Sequence, residues 1–177
     1  MLIRRGFKFE LKPNGMQIQL MKQFCGCARY VYNRTLSLER SLYKKDNNHS
    51  FKYAEAANRL PEWKKKNPFL KECHSQVLQQ SLKDLDQAYT NFFRKRANFP
   101  KYKEKFRNDS IRFPQGVELD EVNNRSDCRK SAGWDIEKAG ISSEPLRMSL
   151  SAGAGRNGMS AYRLSMKSSH LLPILLK

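Results

Sequence analysis

A helix and a charge reversal meet between residues 74 and 113, HSQVLQQSLKDLDQAYTNFFRKRANFPKYKEKFRNDSIRF, and that stretch limits the architecture. Leu78, Leu82, Leu85, Tyr89 and Phe92 recur at alternating steps of four and three, an apolar stripe at the α-helical period. No Gly or Pro interrupts the pattern before Pro100, and Ser75 is the expected cap, so the spacing predicts a helix over 74–95. Its polar face carries Gln76, Gln79, Gln80 and Lys83. The composition then reverses: from Arg94 to Phe113 there are eight Lys/Arg against two acids, with Phe99, Tyr102, Phe106 and Phe113 set among them.

Such a sequence suits a polynucleotide. Lys and Arg neutralise phosphates, exposed rings stack on bases, and a helical Gln can bond adenine in a major groove. The candidate contacts on the helix are Ser75, Gln76, Gln79, Gln80 and Lys83. The basic segment adds Arg94, Lys95, Arg96, Lys101, Tyr102, Lys103, Lys105, Arg107 and Arg112. A plainer reading stands beside this one: glutamines are common on any solvated helix face, and basic runs are common on any soluble surface.

The formal charge of +17 and a pI near 10.0 point the same way, to a polyanionic partner. No apolar run reaches membrane-spanning length, and residues 1–15 lack the apolar region of a signal peptide, so a cytoplasmic protein without a membrane or small-molecule partner is expected. Cys25 and Cys27 lie two apart in a predicted helix, hence about 200° apart around it, and cannot jointly hold zinc. With Cys73 and Cys128 they read as free thiols, and no cofactor is expected.

Residues 2–11 partly alternate and predict a strand, followed by a turn at Pro13-Asn14-Gly15. From Met16 to about Lys45 the period is helical, with Met21, Phe24, Ala28, Val31, Leu38 and Leu42 on one stripe. A short helix within 51–60 ends at Pro61, a charged turn holds Trp63, and Pro68 opens a segment to Cys73. Residues 110–114, SIRFP, predict a second strand able to pair with the first.

The segments LIRRGFKFELKPNGMQ, FCGCARYVYNRTL, HSQVLQQSLKDLDQAYTNFFRK, FPKYKEKF and SIRFPQG, in that order, resemble the start of the OrfB/TnpB proteins of insertion sequences. The resemblance runs over residues 2 to about 125. It implies a region labelled a helix-turn-helix transposase domain, within a family whose complete members are RNA-guided DNA endonucleases. By resemblance, a strand-rich wedge and a helical recognition lobe would hold guide RNA and read a short duplex motif. Ser75, Gln79 and Gln80 would approach that double-stranded DNA, and Lys101, Tyr102 and Lys103 would touch backbone. The family's chemistry comes from a later RuvC-like fold with three acids and a zinc ribbon, which this sequence does not contain, so no catalytic activity is expected.

After Arg125 the composition shifts to Ser and Gly with no apolar period recognised, which predicts a disordered tail over 126–177. Read one base out of frame, Asp127–Lys130, Ser131–Ile141, Glu144–Leu150 and Asn157–Ser160 can encode, in order, strands that the family carries here. A frameshift near Arg125 would truncate the protein that way; an ordinary flexible tail is the alternative. The expected fold is therefore α+β and mainly α-helical. Its helical recognition lobe (16–96) sits between short strands of an incomplete wedge sheet (2–11 and, after a basic segment from 97, up to 114), with a disordered C-terminal tail. The expected function is nucleic-acid binding by a transposase fragment. A free-standing helix-turn-helix DNA-binding protein and a general RNA-binding protein are the competing classes.

Overall fold

The computed structural model describes residues 3–11, 15–105, 107, 109–113, 117–120, 125–128, 131–135, 147–154 and 160–170. The fold is α+β and mainly helical. The chain divides into two compact units, one of residues 19–111 and one of residues 1–18 with 112–177.

The helical unit is built on two long helices. Helix α1, Gly15–Lys45, runs 31 residues, and its boundary with the other unit falls after Ile18. Helices α2 (Tyr53–Asn58), α3 (Leu60–Lys66) and α4 (Phe69–Glu72) are short, and α5 (Ser75–Phe93) is the predicted amphipathic helix. Pro61 does not simply stop α2. It stands in the first turn of α3, where its missing N–H costs no hydrogen bond, so the expected charged turn around Trp63 is helical.

The core follows from the two apolar stripes. Leu78, Leu82, Leu85 and Tyr89 of α5 are buried, as are Met21, Phe24, Ala28 and Val31 of α1. Each buried Leu contributes roughly 1.5–3 kcal/mol by leaving water. Leu36 is fully buried while Leu38 and Leu42 are only half-buried, so the α1 stripe turns toward Leu36 in its second half. There Tyr32, Leu36, Leu85 and Tyr89 form one cluster with Phe51 packed against it. Ser81 sits in the same seam and donates to the Ala28 carbonyl at 2.7 Å, tying α5 to α1.

The helix ends show why α5 stops where it does. Its cap is His74 rather than Ser75: the Gln76 N–H donates to His74 Nδ1 at 3.2 Å, and Ser75 is already the first helical residue. At the other end Lys95 takes a left-handed conformation, φ 56°. Lys95 N–H then reaches the Phe92 carbonyl at 2.9 Å and Arg96 N–H the Asn91 carbonyl at 2.8 Å, a Schellman closure. The predicted helix over 74–95 is thus two residues shorter at its C-terminal end.

In the other unit, β1 (Ile3–Leu11), β2 (Ser110–Phe113), β6 (Arg147–Ala154) and β7 (Ser160–His170) form a four-stranded sheet in the order β1-β7-β6-β2. Strands β3 (Val117–Asp120), β4 (Arg125–Cys128) and β5 (Ser131–Asp135) form a second sheet in chain order. One expectation is corrected here: β2 stands beside β6, not β1. Strands β5, β6 and β7, with most of β4, fall in the stretch expected to be a disordered tail, the rest of which lies outside the described residues. The reason is a period of two in Arg147–Ala154 and Ser160–His170. The antiparallel register aligns Phe7 with Met166 and Met148, Phe9 with Leu164 and Leu150, and Leu11 with Tyr162 and Ala152. Those rows lie two residues apart, the alternation expected of strands. Frequent serines between the apolar residues hid the period from a reading based on composition. The predicted turn at Pro13-Asn14 lies outside the described residues.

Candidate nucleic-acid interface

The basic segment after α5 is strapped onto α1. Asn33 of α1 receives the Lys103 backbone N–H on Oδ1 at 2.8 Å and donates Nδ2 to the Lys103 carbonyl at 2.9 Å. One amide side chain thereby mimics a strand partner for an otherwise irregular segment. Two turns along, Arg40 donates to the Pro100 carbonyl at 3.2 Å, and its guanidinium lies 5.1 Å from the Phe99 ring centre and 4.8 Å from that of Tyr102. Arg29 closes the segment's far end with an ion pair to Asp109 at 2.8 Å, beside the buried Ile111.

Held this way, the segment presents its charge outward. Arg94, Lys95, Arg96 and Lys101 are exposed and have no acidic partner among the described residues. Arg107 pairs with Glu104 at 3.1 Å on the surface, and Lys105 and Arg112 are exposed. Lys103 differs: it is half-buried, with Nζ 4.5 Å from the Tyr32 ring centre. Phe106 lies outside the described residues.

On α5 the polar residues separate into two rows. Ser75, Gln79 and Lys83 are exposed at successive steps of four. Ser75 Oγ accepts from Lys64 Nζ at 2.7 Å, and Lys83 Nζ lies 5.8 Å from the Tyr53 ring centre. Gln79 has no partner among the described residues. The second row turns inward. Gln80 donates to Asp84 at 3.3 Å, and Gln76 is half-buried with Oε1 buried and unpartnered among the described residues. The two rows are therefore not equivalent: the first is exposed, with Gln79 unpartnered among the described residues, and the second is half-buried.

Sequence reasoning missed Arg40 and did not give Asn33 its role. They stand seven apart on α1, two turns on one face, and that spacing opposite a Phe-Pro-Lys-Tyr-Lys segment was the available signal.

The buried thiols are structural. Burial pushes Cys25 up to about 12, while Cys27, on the other side of α1, hydrogen-bonds Cys73, which holds Cys27 below the usual thiol range and Cys73 above it. No group of His, Cys, Asp and Glu able to hold a metal ion occurs among the described residues. Nor is any helix among them long and apolar enough to cross a membrane.

Residues 1–48 match the helix-turn-helix domain of the OrfB IS605 family. Within that span the structure describes β1 and the single helix α1, with α2 following at Tyr53. The chain is 46% identical over 132 residues to InsQ of Escherichia coli (strain K12), whose name designates an RNA-guided DNA endonuclease; this covers 73% of the chain and 32% of InsQ. It is 38% identical over 104 residues to a protein of the same designation from Streptomyces pristinaespiralis, covering 57% of the chain and 25% of that protein. The chain thus spans a third or less of the length of these relatives. Over residues 1–48, then, the chain is similar to the OrfB IS605 helix-turn-helix domain.

Proposed function

We propose that the chain is a transposase-family, DNA-binding fragment whose helical unit grips nucleic acid without cutting it. The observation that carries this is the set Arg94, Lys95, Arg96 and Lys101: exposed cations, close in sequence and without acidic partners among the described residues. Like charges held together repel, and a phosphate backbone is the partner that turns that repulsion into attraction. In this reading Lys101, Tyr102, Lys103, Lys105 and Arg107 continue the backbone contacts. Gln79, flanked by Ser75 and Lys83, approaches base edges of a duplex. The relatives' designation supports DNA and a guide RNA as partners.

Titrating the chain with duplex DNA across salt tests the proposal. Lys101→Ala is expected to weaken all sequences alike and lower the salt slope by about 1, whereas Gln79→Ala is expected to relax sequence preference at nearly constant slope. If both variants bind as the parent does, the interface lies elsewhere.

We further propose that residues 126–177 are translated out of frame relative to the relatives. The shifted-frame match to family strands supports this. Sequencing the gene through codon 125 and beyond tests it, and stops closing the shifted frame just downstream would reject it.

A further inference from the structure

The helical unit contains a cleft of about 660 Å³ between the second half of α1, the end of α5 and residues 99–102. That volume is within the range of specific ligand sites. Its walls are mostly rings. Tyr89 stacks on Phe51 at 5.3 Å, and Phe99 meets Tyr89 and Phe92 edge-on at 5.8 and 5.2 Å. A sealed core would hide these rings, but Phe93 is 70% exposed, Tyr43 55%, Tyr102 45% and Phe99 38%. Open ring faces beside water are costly unless something flat covers them.

The charge at the cleft selects the occupant. Arg40 stacks on Phe99 and Tyr102 and has no carboxylate partner among the described residues. Lys44 stands on the same wall, and the unpaired cations Arg94 and Lys101 follow Phe93 and precede Tyr102 in the chain. The wall's acid, Glu39, is already closed by His49 at 2.6 Å and Arg59 at 3.1 Å. An anionic chain bearing flat rings meets both requirements, and a single-stranded polynucleotide is such a chain. Among the polar groups of the wall, Ser41 donates to the Ser37 carbonyl at 3.0 Å, and Glu39 and His49 hold each other. The DNA-binding reading above makes a deoxyribose strand the occupant.

We infer that this cleft takes an unpaired base of single-stranded DNA, stacked among Phe93, Tyr102 and Tyr43 with its phosphates on Arg40 and Lys44. This rests on the polynucleotide reading above and adds a site distinct from the α5 row.

The test measures fluorescence anisotropy of the full 177-residue chain with oligothymidine, an abasic strand of equal length, oligouridine and a duplex. The expected result is a preference of roughly tenfold for oligothymidine over the abasic strand, lost in Phe93→Ala, Phe93→Leu and Tyr43→Ala, with duplex affinity kept in all three. Equal binding of thymidine and abasic strands would overturn the inference and leave the proposed function standing, as would a preference surviving all three substitutions. Tighter binding of oligouridine than oligothymidine would overturn the assignment to DNA. Failure of the parent chain to bind any of the four would overturn the proposed function and this site with it.

Discussion

Lys95 holds a backbone conformation that glycine adopts far more readily, φ 56°, because the Schellman closure of α5 demands it. Lys95→Gly is therefore expected to stabilise the protein by about 1 kcal/mol, read from the denaturant midpoint, while removing one exposed charge. Asn33 is the opposite case. Its amide satisfies both backbone groups of Lys103, so Asn33→Ala is expected to cost roughly 1–3 kcal/mol and to speed exchange of the Lys103 amide proton. Unchanged stability and exchange would mean the segment is held by Arg40 and Arg29 alone. The role of Lys95 could not be read from the sequence, and that of Asn33 only through its spacing from Arg40. A left-handed lysine has no compositional mark, and Asn33 meets Lys103 only after 70 residues of chain have folded back.

Helix α5 was the most legible element, because four of its five stripe residues, Leu78, Leu82, Leu85 and Tyr89, are buried at the spacing that predicted them. Leu85→Ala is expected to cost about 2–5 kcal/mol, since Leu85 is fully buried between Tyr32, Leu36 and Tyr89. The same packing makes the helical unit sensitive to alkali. Burial pushes Cys25 from its ordinary 9.0 up to about 12, and burial followed by the nearby Glu39 pushes Tyr89 from 10.0 up to about 12. Both groups bind protons more tightly folded than unfolded. Their contribution is complete below pH 9 and is lost as pH rises toward 12. Melting temperature should fall over that window, and Cys25→Ala should flatten the fall. The strands were less legible. β1 showed its alternation, but β6 and β7 alternate through Ser, Ala and Met, residues weighed as composition rather than position. Its partner β7 lies more than 150 residues away in sequence, a pairing no local signal carries.

For the chain taken together, +17 of formal charge gathers into one functional statement only through folding. Asn33, Arg40 and Arg29 anchor a basic segment along α1, leaving four cations outward and unpaired among the described residues. Composition could name the class of partner, but not which residues face it. Lys103 and Gln76 looked equivalent to Lys101 and Gln79 in the sequence, and folding turns the first of each pair partly inward. Affinity for duplex DNA measured from low to moderate salt decides whether this surface grips a polynucleotide. Contacts by Arg94, Lys95, Arg96 and Lys101 alone predict a log–log slope of roughly −3 to −4, steepening to about −6 when Lys103, Lys105 and Arg107 also reach phosphates, and flattened by about 1 in Lys101→Ala. A flat salt dependence, or no binding at low ionic strength, would contradict it.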